Sequence, residues 1–287
     1  MLLIDGDILT YTVGFIAETR WYELNCPDTG DMMVFQNKRD IKEYNSDLTE
    51  DDYVMNRSCL DANIAYGILD EIVDSWKRKF NRTGYKVFLT DTDLKNNFRW
   101  KLDNEYKANR KGAVKPLLYT HIRDYLCTKY NAEVVVGIEA DDALGIAQTK
   151  HTIIISKDKD LLQVPGEHFN ISSNKVIHAT ENGSLEVWVD AAGKKRLTGH
   201  GFKWFCAQML LGDDVDNIKG INRVGAVKTH ALLSKLRTKE TMWNAVKEVY
   251  KKHNREQDLL TNAQLLWILK TSNGYFNEEE HCKCMNN

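Results

Sequence analysis

The chain has little proline, no apolar run of membrane length, no paired-cysteine motif and almost no net charge, and each shortage excludes something. Three prolines in 287 residues leave no proline-rich linker, and no internal repeat is visible. No stretch approaches the roughly 20 apolar residues of a membrane span, and MLLIDGD has neither the basic start nor the apolar run of a signal peptide. A cytoplasmic protein is therefore expected. Cys26, Cys59, Cys127, Cys206, Cys282 and Cys284 are scattered, and Cys282-Lys283-Cys284 lacks the spacing of a zinc site, so reduced, structural thiols are expected. His121, His151, His168, His178 and His200 have no serine or cysteine partner motif, which argues against a covalent nucleophile. Gly220 to Thr229, GINRVGAVKT, fails as a phosphate-binding P-loop because Ala226 and Val227 separate the second glycine from Lys228. GDDVDN lacks the later glutamate of an EF-hand.

What is present supports a large core, or a core plus a smaller helical domain: 43% of residues are hydrophobic and 28% charged, and only the last ten suggest disorder. Residues 2 to 8 read as a short apolar strand ending in acid. Leu60, Ile64, Ile68, Ile72, Trp76 and Phe80 recur every four residues, with Leu69 and Val73 beside them, and predict a helix over 58 to 82. Strand signals at 85–90, 133–136 and 152–156 alternate with helical signals at 116–130 and 141–150, the pattern of a largely parallel sheet. A weaker β region covers about 168–189, and everything from Phe202 onward reads as helical. Residues 21 to 57, with nine acids against four bases, read as an irregular surface insertion.

Nine carboxylates fall in five short clusters. They are Asp5 in LLIDGD, Asp91 in VFLTDTD, Glu139, Asp141 and Asp142 in GIEADDALG, Asp158 and Asp160 in IISKDKDLL, and Asp213 and Asp216 in LLGDDVDN. Taken singly, EADD fits acids at a helix N-terminus and DKD fits a solvated turn. Gathered by a fold, so much like charge requires cations, and oxygen ligands this dense select Mg²⁺ or Mn²⁺. Two such ions roughly 4 Å apart are suited to in-line attack on a phosphodiester. With the nine acids set aside, the rest of the molecule is net positive, as attraction to phosphate requires. Residues 95 to 115 concentrate that charge in Lys95, Arg99, Lys101, Lys107, Arg110, Lys111 and Lys115, interleaved with Phe98, Trp100 and Tyr106.

In this order, LLIDGD, FLTDT with NNFRW and EYKANRKG, GIEADDALG, ISKDKDLL and LLGDDVDNIKGINRVGAVKTHALL resemble the 5′-nuclease family of flap endonucleases and 5′ to 3′ exonucleases. Within it, the sequence is most similar to the bacteriophage exonucleases, which share YKANRK and a late helix like Ala263 to Leu269. The resemblance covers most of residues 1 to 271. It implies an α/β fold with a mostly parallel central sheet flanked by helices, a PIN-like nuclease core over 1–191 that includes a helical arch at about 93–130. A helical duplex-binding region follows over 192–287, with a helix-three-turn-helix at about 210–236.

The resemblance also implies roles. Asp5, Asp91, Glu139, Asp141 and Asp142 would surround one metal, and Asp158, Asp160, Asp213 and Asp216 a second, with Asp93 an alternative to Asp91 and Asp7 close to Asp5. Lys107 and Arg110, three apart on the arch, would neutralise the scissile phosphate, with Tyr106 stacking on an unpaired base and Arg99 as a further phosphate contact. Gly220 and Gly225 would let backbone approach phosphate, Lys228 and Thr229 would open the second helix with donors, and the loop would hold K⁺. The expected activity is two-metal, structure-specific 5′ to 3′ hydrolysis of DNA giving 5′-phosphate products, with flap endonuclease and RNase H-like activities in scope. The partner is duplex DNA with a 5′ end or 5′ flap, or an RNA/DNA hybrid, in the host cytoplasm if the chain is phage-encoded. A single-strand-specific metal-dependent ribonuclease and a noncatalytic DNA-binding protein are the alternatives.

Overall fold

The computed structural model describes residues 1–26 and 30–282. In chain order its strands are β1 (Leu2–Asp5), β2 (Glu18–Asn25), β3 (Met32–Phe35), β4 (Val54–Cys59), β5 (Tyr85–Thr90), β6 (Glu133–Val135), β7 (Ile153–Ser156), β8 (Gly166–Asn170), β9 (Lys175–Ala179), β10 (Ser184–Val189), β11 (Lys195–His200), β12 (Gly212–Asp213) and β13 (Ile218–Lys219). The helices are α1 (Gly6–Ile16), α2 (Lys38–Tyr44), α3 (Ala62–Phe80), α4 (Phe98–Leu102), α5 (Tyr119–Tyr130), α6 (Ala140–Ala147), α7 (Gly201–Leu211), α8 (Ala226–Leu233), α9 (Lys239–Lys252), α10 (Glu256–Leu266) and α11 (Glu278–His281). They fall into two compact units, one of residues 1–8, 81–113 and 130–287, the other of 9–80 and 114–129. The first continues across the position near 192.

In the first unit six strands run in the order β6-β5-β1-β7-β8-β9, all parallel except the last pair. Leu2, Leu3 and Ile4 are fully buried and Ile153, Ile154 and Ile155 nearly so, as a parallel strand covered on both faces requires. α6 packs on β1, β5 and β6. Because parallel strands point their carboxyl ends one way, Asp5, Asp91, the 136–141 turn and Asp158 emerge at one edge of the sheet. Gly6 permits the sharp exit from β1, since a Cβ there would lie 2.6 Å from the Phe88 carbonyl oxygen.

The same unit holds a second core around α7, which is buried along nearly its whole length and, as an apolar helix must be, covered on all sides. Phe205, Trp243, Trp267 and Phe276 pack ring against ring in it. The region after Phe202 is not wholly helical. β12 and β13 form a two-residue-per-strand hairpin at the end of α7, and Gly212 and Gly220 approach so closely that a Cβ on Gly220 would lie 2.2 Å from the Leu211 carbonyl. That hairpin carries Asp213 and Asp216.

The second unit corrects the reading of residues 21–57. Residues 27–29 lie outside the described residues, and the rest is not an irregular insertion: β2, β3 and β4 form an antiparallel sheet in the order β3-β2-β4, with Tyr22 and Leu24 buried on one face. The alternation ETRWYELN carries this, but charge masks it. Glu18, with its side chain almost wholly buried, accepts from Arg20 Nε at 2.6 Å and from the Leu117 N–H at 2.7 Å. The predicted helix over 58–82 starts later, at Ala62, because residues through Cys59 belong to β4. Its buried stripe is Ala65, Leu69, Val73 and Trp76, so Leu69 and Val73 beside the repeat face inward with Trp76, whereas Ile64 and Leu60 of the repeat are exposed. α11 forms one helical turn in the C-terminal stretch where disorder was expected. The five cysteines among the described residues are free thiols, and Cys284 lies outside those residues.

Candidate active site

β1 ends at Asp5, which is 3% exposed. Its oxygens accept from the Ile8 N–H at 2.9 Å and Ser156 Oγ at 2.7 Å. Burial, then the charges of Asp7 and Asp158, push it up to about 7. Asp7, in the first turn of α1, accepts the Thr90 N–H at 3.0 Å, and Thr90 Oγ1 accepts the Ala140 N–H at 2.9 Å. One threonine thereby ties the ends of β5, α1 and α6 together and places Asp91 beside them. Asp91 accepts from Asn96 Nδ2 at 2.6 Å, whereas Asp93 is exposed and caps the Lys95 N–H at 3.1 Å.

Burial raises Asp141 well above the ordinary carboxylate range, and Asp158, Asp5 and Glu139 add to the effect in that order. Burial also holds Asp158 high against the lowering influence of the Asp160 N–H, which it accepts at 2.8 Å. Asp160 is pushed up to about 8 by burial and Asp158, with Asp213 and Asp216 contributing. Asp158 raises Asp5 and Asp141 on one side and Asp160 on the other, and is itself raised by Asp216 and lowered by Lys159 and Lys107, so it belongs to both carboxylate groups. Among the described residues no cationic side chain pairs with Asp5, Asp141 or Asp158. Nor, among those residues, do three acidic, histidine or cysteine side chains converge into a ready-made cage; the carboxylates are neighbours through charge.

Glu139, at the N-terminus of α6, is different. Burial raises it, but Lys107 and Arg99 outweigh burial and bring it down to about 2. Lys107 Nζ donates to Glu139 Oε1 at 2.5 Å and lies 3.8 Å from Asp216 Oδ2, and the Tyr106 hydroxyl bridges Glu139 and Asp216 at 3.2 and 3.0 Å. Arg110 Nη2 pairs with Asp216 Oδ1. Lys107 is left-handed at φ 58°, and Ala108–Arg110 is a 3₁₀ turn, so the two cations converge on Asp216 through the turn and not along one α-helix face. The segment is also fastened by backbone: the Lys107 N–H donates to the Asp216 carbonyl at 3.0 Å, Arg110 Nε to that of Val215 at 3.2 Å and Asn217 Nδ2 to that of Glu105 at 2.8 Å.

Three expected roles do not fit the geometry. Asp142, fully buried, accepts from Arg99 Nη1 and Nη2 at 2.6 and 2.8 Å and from the Glu139 and Leu269 N–H groups at 3.0 Å each. Its four acceptor positions are filled, so it ties α6 to the chain after α10 and has none left for a cation. Arg99 is only 1% exposed and also donates to the carbonyls of Leu265 and Trp267, so it cannot reach a phosphate. Tyr106, 2% exposed, positions Glu139 and Asp216 and offers no face to a base.

Among the duplex-binding candidates, Gly225 and Lys228 are exposed, and a Cβ on Gly225 would meet nothing within 4 Å, leaving its backbone open to a ligand. Lys228 Nζ donates to the Arg223 carbonyl at 3.0 Å. Gly220 serves the close β12–β13 approach, and Thr229 is fully buried, so neither faces outward as a phosphate contact. Sequence reasoning missed Lys159, whose Nζ lies 2.6 Å from Asp213 Oδ2 and 3.5 Å from Asp160 Oδ1, together with Ser156 and Gln208, which donate to Asp5 and Asp160. Only the position of Lys159 between two acids hinted at it.

Residues 42–189, just over half of the chain, match the family model described as 5′-3′ exonuclease, N-terminal resolvase-like domain. The chain is 29% identical over 194 residues to a 5′-3′ exonuclease of Buchnera aphidicola from Acyrthosiphon pisum, and the match spans 64% of each protein. It is 26% identical to the exonuclease of Escherichia phage T7, across 91% of this chain and 96% of that one. Among solved structures the fold is similar to T5 D15 protein co-crystallized with metal ions, with a TM-score of 0.55 at 16% identity over 92% of this chain and 88% of that one.

Proposed function

The chain belongs to the 5′-3′ exonuclease family through its N-terminal resolvase-like domain, and from that premise we propose that it hydrolyses phosphodiesters at the 5′ end or 5′ flap of duplex DNA, leaving 5′-phosphate and 3′-hydroxyl ends. The observation that carries the reading is the trio Asp5, Asp141 and Asp158 at the edge of one parallel sheet, Asp5 buried and the other two half-buried, each held above the ordinary carboxylate range and without an ion-pair partner among the described residues. Such a set is unstable as anions and fits hard divalent cations, Mg²⁺ or Mn²⁺. Asp5, Asp91, Glu139 and Asp141 would hold one ion and Asp160, Asp213 and Asp216 a second, with Asp158 between them. Bound there, the ions would supply an activated water at neutral pH and stabilise charge on the attacking and leaving oxygens.

The chain's own residues do the rest. Lys107 and Arg110 bring two positive charges to the carboxylates, where a phosphate would add negative charge, and the pairing with Glu139 and Asp216 fixes where they stand. Tyr106 holds those two acids, and the Arg99–Asp142 pair holds the N-terminus of α6 that presents Asp141. Residues 192–287 are the duplex-binding region in this reading, with the exposed Gly225 backbone and Lys228 meeting phosphates without reading bases. K⁺ in the 220–225 loop and action on RNA/DNA hybrids belong to the same reading and rest on the family resemblance. No helix among the described residues is long and apolar enough to cross a membrane; a cytoplasmic site of action belongs to the same reading and rests on the family resemblance.

The test is incubation with end-labelled flap, nicked, blunt and hybrid duplexes in Mg²⁺, with product sizing. Short 5′-phosphorylated products released from the 5′ end are expected. Cleavage of single-stranded RNA alone, or binding to duplex without cleavage, would overturn the proposal.

A further inference from the structure

Lys159 stands between two of the acids just described, Asp158 and Asp160, and its ammonium turns to the second group. Nζ is 2.6 Å from Asp213 Oδ2 and 3.5 Å from Asp160 Oδ1. The remaining partners of these carboxylates come from fixed positions: Gln208 Nε2 donates to Asp160 Oδ1 at 2.6 Å, and the Val215 and Asp216 N–H groups donate to Asp213 Oδ1 at 2.8 and 3.4 Å. The Lys159 backbone is fixed as well, since its carbonyl accepts from Trp204 Nε1 at 3.0 Å. Its side chain is not. It is 52% exposed, and a four-carbon stem lets the charge rotate into solvent without disturbing the backbone that carries Asp158 and Asp160.

We propose that the Lys159 ammonium is a built-in competitor for the second divalent cation, holding Asp160 and Asp213 together and setting how strongly that site takes up metal. The inference rests on the two-metal reading of these carboxylates. A monovalent ammonium neutralises part of the charge on Asp160 and Asp213, so an incoming divalent ion must displace it and gains only the difference between the two interactions. Lys107 plays no equivalent part. Its side chain is 14% exposed and its backbone is tied to Asp216, so it has no open route away from Glu139. The first ion should therefore bind without having to expel a mobile lysine from Asp5, Asp141 or Asp158, and the two sites should differ in affinity for a reason built into the chain.

The test is Mn²⁺ binding to the full chain without DNA, followed by calorimetry and by the electron paramagnetic resonance of free Mn²⁺, in one buffer of fixed pH. Wild type should bind two ions of unequal affinity. Lys159→Met should tighten the weaker site by about tenfold, the scale expected for a half-exposed unit charge discounted for solvent, and leave the tighter site within about twofold. Lys159→Arg, which keeps the charge, should retain the wild-type weak site. Because the side chain is half exposed, neither change touches the core, and circular dichroism checks that both variants fold. Two sites with the weaker unchanged or loosened in Lys159→Met, or tightened equally in Lys159→Arg, would overturn the role of Lys159 alone. Fewer than two sites in wild type would overturn the two-metal reading itself.

Discussion

The two halves of the acidic site solve the same electrostatic problem in opposite ways. Asp5 is buried, Asp141 and Asp158 are half-buried, and none has an ion-pair partner among the described residues; loss of solvent raises all three above the ordinary carboxylate range, with Asp7 and Asp158 adding to the effect on Asp5, Asp158 and Asp5 to that on Asp141, and Asp216 to that on Asp158. Glu139, Asp213 and Asp216 instead meet Lys107, Lys159 and Arg110, and Glu139 is brought down to about 2 although it too is buried. Burial is common to both groups, so the difference lies in partners. A carboxylate in close contact with a side-chain cation is settled by the protein itself, as Glu139 is, whereas one without such a contact is settled by a proton or by a metal ion; Asp160, 3.5 Å from the Lys159 ammonium yet pushed up to about 8, stands between the two.

Removing a member of the unpaired group should have the largest effect. Asp141→Asn or Asp158→Asn should lower single-turnover cleavage in Mg²⁺ by on the order of 10³-fold or more while duplex binding is kept or strengthened, because the lost charge repels phosphate. Near-normal turnover by either variant would dissolve the contrast. Next comes the pair that looks like part of the site but is not: Arg99→Ala should destabilise the fold by about 3–5 kcal/mol in chemical denaturation, the scale for leaving a buried carboxylate unpartnered. A small loss would mean that Asp142 is free to serve elsewhere. Lys107→Ala should lower the single-turnover rate by on the order of 10²-fold with little change in duplex affinity, as expected of a charge that acts at the reacting phosphate. Smallest is Lys228→Ala, which should reduce the slope of log affinity against log salt by about one and leave cleavage at saturation intact.

Much of this was legible in the sequence because parallel strands turn a linear pattern into a position. Apolar runs ending at Asp5, Thr90 and Ser156 predict where the acids emerge, and they emerge there. The helix phase was harder to read. Asp141 and Asp142 are adjacent and chemically alike, yet one faces the other acids and one is saturated by Arg99, and only the Glu139-x-x-Asp142 capping spacing signalled which. Arg99 sits between two aromatics in a basic stretch, so composition made it look like a surface contact, while its partners lie 43 and 166 residues away. The sheet over β2, β3 and β4 was hidden by its charge, since alternation through acidic and basic residues reads as a loop unless the period is weighed above the composition.

The central claim is that the unpaired acids are held high by one another and await a divalent cation, and equilibrium unfolding against pH, with chelator and with Mg²⁺, tests it most directly. Asp5 rises from 3.8 in the unfolded chain to about 7 in the fold, so between those values the native state holds more protons than the unfolded state. Stability in chelator should therefore fall as pH rises from about 4 to 7, with a slope of up to about 1.4 kcal/mol per pH unit from Asp5. Saturating Mg²⁺ should remove most of that fall, because metal binding favours the ionised native state. The same pH profile with and without Mg²⁺ would contradict the account.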